Sequence, residues 1–190
     1  CGGFVFDVWY WAKLGLLQFT YYIAKEYGEM RFSQIRILFG MRDDGQMTEP
    51  MNLMLLSALA KKHFGAKSGL WVMERDDLRK TIESFRPDIV AMSGITGSHK
   101  YYIDAAYRIK EIDNEIKIIA GGPHFTFFPG EILKHECLDA LCVGEGDDAW
   151  VEWLLAVINN DNPNEISNIV TRENMHRVLD NDCLNPKYMR

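Results

Sequence analysis

From Ser33 onward the chain alternates short apolar runs with longer stretches whose apolar residues recur every three to four positions. "IRILFG" (35–40), rich in β-branched and aromatic residues, predicts a strand. A polar loop "MRDDGQMTEP" follows, with Pro50 placed to open a helix. "MNLMLLSALAKKHFG" has helical periodicity and a stop at Gly65. "GLWVM" (69–73) predicts a second strand, and "DDLRKTIESF" a helix with acids in its first turn and Pro87 beyond its end. "DIVAMSG" (88–94) is almost wholly apolar, as a strand covered on both faces should be. "SHKYYIDAAYRIKEID" predicts a helix with Ser98 as its cap. "IKIIAGG" predicts a fourth strand, "PGEILKHE" a short helix, and "LDALCVGEG" a fifth strand ending at Gly144. "DAWVEWLLAVINN" is an amphipathic helix, and "ISNIVTREN" reads as an edge strand.

Five strands alternating with helices imply a doubly wound, flavodoxin-like (Rossmann-like) α/β fold. Its five-stranded parallel sheet would carry helices on both faces. The segment Phe4–Ala24 is the most apolar of the chain, yet Asp7, Lys13 and Gln18 interrupt it. No cluster of positive charge precedes it, so it fits neither a membrane span nor a signal peptide. The expected reading is a helix over about 13–27 stopped by Gly28, without membrane contact. The start at Cys1 and the end at "NPKYMR" suggest a piece of a longer protein. The expected organisation is a helical extension over 1–32, a ligand-binding domain over 33–174, and a linker over 175–190.

Composition narrows the partners. The 190 residues are 47% hydrophobic and 25% charged, ordinary for a globular domain. The formal net charge is −6 and no Lys/Arg run occurs, so nucleic acid is excluded as a partner. The four cysteines (Cys1, Cys137, Cys142, Cys183) form no CxxC pair and have no metal-ligand spacing. Reduced thiols of this kind point to a cytoplasmic setting.

Ligands of open parallel sheets bind at the carboxyl ends of the strands. The loops expected there are "RDDGQMTE", "SGITGSH", "GGPHF" and "GEGDDAW", and the last three are rich in glycine. Glycine lets a bulky ligand approach the backbone and leaves N–H donors accessible. No loop matches GxxxxGK[ST] or GxGxxG, which disfavours a nucleoside triphosphate or nicotinamide dinucleotide enzyme. Each loop alone explains no more than a tight turn; three converging on one sheet edge suggest a flat, large ligand.

The block "RPDIVAMSG…WLLAV" (86–157) resembles the cobalamin (vitamin B12)-binding domain found amino-terminal in cobalamin-dependent radical S-adenosylmethionine enzymes. "PDIVAMS", "KIIAGGPH" and "VGEGDDAWVEWL" carry the resemblance in order and spacing, and it extends over roughly 33–174. It implies cobalamin as cofactor, its nucleotide tail between sheet and helices and its corrin over the sheet's carboxyl edge. Ser93, Gly94, Ile95, Thr96 and Ser98 would line one wall of the tail slot. Gly121 and Gly122 would let the tail pass, with Pro123 following, and Gly144, Glu145 and Gly146 would close the other side. Gly122→Val would then abolish cofactor retention without unfolding the sheet. Asp147 and Asp148 are explained by the helix start they occupy.

Where mutases and methionine synthases carry DxHxxG, with a histidine as lower cobalt ligand, this chain reads "DGQMTE", Gln46 standing at the histidine position. The resemblance therefore implies a base-off corrinoid without a protein histidine ligand. His124 would touch the corrin or its amides at the rim, while helix-end placement explains His63 and His135. No CxxxCxxC is present, so S-adenosylmethionine and a [4Fe-4S] cluster would belong to a C-terminal radical domain of the same protein. The chain itself would be a non-catalytic cofactor-binding fragment of a methyltransferase or an oxidoreductase/cyclase. The rival reading is a flavodoxin-like scaffold that has lost cobalamin and serves recognition.

Overall fold

The computed structural model describes residues 35–43 and 50–176. The expected helix over 13–27, Gln46 and most of the 175–190 linker lie outside the described residues. Strands β1 (Arg36–Met41), β2 (Lys67–Val72), β3 (Ile89–Ser93), β4 (Lys117–Gly121), β5 (Ala140–Cys142) and β6 (Ile169–Val170) form one sheet. Its order is β2-β1-β3-β4-β5-β6, parallel through β5, with β6 antiparallel at the edge. The parallel part is the flavodoxin-like order, whose direction of progression reverses between β1 and β3.

The helices are α1 (Met51–Phe64), α2 (Leu78–Phe85), α3 (His99–Ile112), α4 (Pro123–Phe127), α5 (Glu131–Lys134) and α6 (Asp147–Asn159). Helix α1 packs on α6, and α2 packs on α3. Alternating strand positions serve the two pairs. Leu38, Val90, Met92, Ile118 and Ala120 bury with Ile82, Ile103 and Ile109 of α2 and α3. Phe39 turns the other way, its ring 6.0 Å from that of Trp150 on α6. A fully buried Ile or Leu here contributes about 1.5–3 kcal/mol, so this double-sided burial is what selects the apolar strands.

The helix ends follow the sequence in most places. Gly65 stops α1 in the left-handed region (φ 61°), its N–H donating to the last turn. The Asp77 carboxylate caps α2 by accepting from the Lys80 N–H at 2.8 Å. Ser98 departs from expectation: it makes no side-chain cap, and its Oγ instead donates back to the Ile95 carbonyl at 3.2 Å. Helix α4 is also additional, since the turn after Gly122 continues straight into a helix opened by Pro123. Among the described residues no helix is long and apolar enough to cross a membrane.

Candidate functional site

The cleft sits where the connections diverge. Strands β3, β4 and β5 end beneath α1 and α6, leaving a cavity of about 190 Å³ between sheet edge and helices. Leu53, Leu56 and Trp150 supply its apolar helical walls, and Gly121, Gly122 and Gly144–Asp147 its backbone floor and far side. The indole N–H of Trp150 donates to the Leu56 carbonyl at 2.9 Å, which ties the two roofing helices together. Beside the cleft lies a wider basin of about 640 Å³, bordered by the ends of β1 and β2 and by Ile95, Ser98, Tyr102 and Pro123.

The sequence-predicted residues divide into three groups. Ser93, Gly121, Gly122, Gly144, Glu145 and Gly146 line the cleft. Ile95, Ser98 and Pro123 line the basin, with Ser93 shared between the two. Gly94, Thr96 and His124 line neither and form the platform joining the β3 and β4 loops. The Gly94 N–H donates to the Gly121 carbonyl at 2.9 Å, and the Gly94 carbonyl accepts from the His124 N–H at 3.0 Å.

Gly122 belongs to that stitching as much as to the cleft. Its backbone (φ 91°, ψ −179°) lies in a region that only glycine occupies readily. A Cβ there would stand 2.6 Å from Ser93 Oγ and 2.9 Å from the Gly94 carbonyl oxygen. The glycine is demanded by the protein's own loops, a reason independent of any ligand. At Gly121 the same addition would meet Cys142 at an ordinary 3.5 Å.

His124 is 5% exposed, deeper than the rim contact expected from the sequence. Its ring stacks on His99 at 3.6 Å between centroids and 12° between planes. Its Nδ1 lies 3.2 Å from Thr96 Oγ1, while Nε2 is buried with no hydrogen-bond partner. Burial, and then the neighbouring His99, hold the His124 imidazole below its ordinary value; Glu131 opposes this and Lys134 adds to it.

The unfolded chain therefore takes up a proton near the ordinary 6.5 before the folded one does. The corresponding stability is complete above that pH and is lost as the pH falls below it. The urea midpoint is expected to drop between about pH 7.5 and 5.5, and His124→Phe, which cannot titrate, to flatten the decline. An equal decline in both proteins would remove His124 as its source.

Among the residues lining the cleft, the Cys142 thiol is pushed up to about 12 by burial and then by Glu145 and Asp147. Its sulfur therefore lines the cleft as a neutral thiol. On the basin side, the Arg42 guanidinium pairs with Glu74 at 2.8 Å and lies over the Tyr101 ring at 3.9 Å. Among the described residues no histidine lines the cleft or the basin. Among the described residues no cluster of three His, Cys, Asp or Glu could hold a metal ion. What the cleft offers is a narrow slot of aliphatic, indole and glycine-backbone walls, which suits a flat heteroaromatic group, next to an open polar-rimmed shelf. The helical contributors Asn52, Leu53, Leu56 and Trp150 escape a reading confined to strand-end loops. The i, i+3 pair Leu53 and Leu56 is the one signal that α1 turns an apolar face here.

The comparisons with known proteins agree with this geometry. A family model described as "B12 binding domain" matches residues 41–154. An uncharacterized methyltransferase of Pyrococcus horikoshii is 32% identical over 108 residues, covering 54% of this chain and 23% of that protein. The cobalamin-dependent radical SAM methyltransferase TokK of Streptomyces tokunonensis is 36% identical over 78 residues, 40% of this chain and 11% of that one. The chain thus spans less than a quarter of the length of these curated relatives. Among solved structures, the radical S-adenosylmethionine methyltransferase TsrM of Kitasatospora setae superposes with a TM-score of 0.63 at 13% identity. That match covers 72% of this chain and 28% of that one, and it establishes likeness of fold.

Proposed function

Because the chain belongs to the B12-binding domain family and is a cobalamin-binding domain related to cobalamin-dependent radical S-adenosylmethionine enzymes, we propose that it holds the corrinoid base-off, with no protein histidine beneath the metal. The cleft would take the apolar end of the nucleotide tail between Leu53, Leu56, Gly121 and Trp150, and the basin would carry the macrocycle. Bound there, cobalamin supplies methyl-carrying or electron-relaying chemistry. The chain's own residues bind it, orient it and keep water from the tail. The observation that carries the reading is the pairing of a narrow apolar slot with a wide shelf at the β1/β3 switch point. Gln46, standing where a DxHxxG histidine would be, supports the absence of an imidazole ligand.

In the whole protein, a C-terminal domain would supply S-adenosylmethionine and a [4Fe-4S] cluster for a methyltransferase or an oxidoreductase/cyclase. The small share of each relative that this chain covers supports that division. The test is reconstitution with hydroxocobalamin, removal of free ligand and a visible spectrum. A retained corrin band of base-off shape is expected. A colourless protein would favour the scaffold that has lost its cofactor, and a base-on spectrum would overturn the ligation state.

A further inference from the structure

The two cavities meet at one pair of polar side chains. Cleft and basin share Asn52, Leu53 and Ser93. Across that junction Asn52 Nδ2 donates to Ser93 Oγ at 2.7 Å, joining the first turn of α1 to the last residue of β3. Neither element depends on the bond for its own structure. Helix α1 begins after Pro50 without a side-chain cap, and Ser93 is already held in the sheet opposite Gly121. The bond is solvent-exposed and spans an opening, where a net contribution to stability is small.

Resting on the cofactor reading above, we propose that Asn52 binds the polar neck of the ligand. In this reading the Asn52–Ser93 pair is a strap that opens for a molecule occupying both cavities and then grips the link between its head and its tail. The chemistry favours an anionic, acceptor-rich link, a phosphodiester. The Asn52 amide group brings two N–H donors, and the Ser93 hydroxyl that accepts one of them keeps its own proton to donate. Two donors converging on one point suit a phosphate oxygen better than an amide or a second hydroxyl. Charge points to the same end of the cleft. The first turn of α1 has no acidic side chain, whereas the far wall carries Glu145 and Asp147 and would repel an anion. Asn52 thereby distinguishes a corrinoid with a nucleotide tail from one without.

The experiment compares retention of hydroxocobalamin and of dicyanocobinamide, a corrin without the nucleotide tail, by the 190-residue chain and its Asn52→Ala and Asn52→Asp variants. Alanine is at home in a helix turn, so the urea midpoint should not move. Loss of a hydrogen bond to a charged acceptor should weaken cobalamin retention by about tenfold in Asn52→Ala. Asn52→Asp, which sets a carboxylate against the phosphate, should weaken it further, while cobinamide retention stays as in the parent. Equal effects on both corrinoids, or none on either, would overturn the neck assignment and leave the cofactor reading standing. Failure of the parent chain to retain any corrinoid would overturn the cofactor reading and this inference with it.

Discussion

Gly122→Ala is expected to destabilise the domain by roughly 2–6 kcal/mol, the sum of a backbone strained outside the glycine region and of overpacking against close neighbours. The backbone at φ 91° and ψ −179° must be kept if β4 is to run straight into α4. The new methyl group would meet Ser93 Oγ at 2.6 Å and the Gly94 backbone at 2.9–3.1 Å. The serine hydroxyl can rotate away, but the Gly94 peptide cannot. It is fixed by donating to the Gly121 carbonyl and accepting from the His124 N–H. A loss of this size is a large fraction of the 5–15 kcal/mol typical of a domain. A falling urea midpoint should therefore accompany any loss of cofactor, and the larger Gly122→Val should behave worse. A variant that folds with parent stability would contradict the observed loop geometry.

That expectation reverses the one drawn from the sequence, and the reason shows what a sequence conveys. "GGPHF" announces a place where side chains are unwelcome, but it does not say whether a ligand or the protein excludes them. For Gly122 the excluding atoms are on Ser93 and Gly94, which come alongside only when β3 and β4 pair. His124 carries the same lesson. A histidine after a glycine pair at a strand end suggests a rim contact, yet α3 brings the His99 ring over it and buries it.

The architecture was far more legible. Periodicity places all five parallel strands and the stop at Gly65 to within a few residues, because burial on both sheet faces writes itself into near-continuous apolar runs. The edge strand read in "ISNIVTREN" is present as β6, but it pairs over only two residues and runs antiparallel to β5, a direction that the apolar pattern does not carry. Asn52 illustrates the opposite extreme. It is one polar residue in the apolar run "MNLMLL", and its place at the junction of two cavities follows from how α1 crosses the end of β3.

Gly121→Val separates ligand exclusion from structural need. Gly121 ends β4, and its φ is not among the positive values found at Gly122 and Gly144. A β-branched residue suits the strand conformation. Its Cβ would lie 3.5 Å from Cys142, an ordinary contact, so the fold should tolerate it with a urea midpoint near that of the parent. The two further methyl groups would enter a cleft of only about 190 Å³, whose helical roof is fastened by the indole hydrogen bond from Trp150 to the Leu56 carbonyl. A slot braced in this way cannot widen cheaply. If the tail lies there, overpacking of about 1–3 kcal/mol falls on the bound state alone and lowers cobalamin retention by roughly tenfold to a hundredfold. A corrinoid without the tail should be retained as before, since it has no need of the slot. Unchanged cobalamin retention in a folded Gly121→Val protein would place the tail elsewhere. Joint loss of folding and retention would instead class Gly121 with Gly122, as a glycine the protein requires for itself.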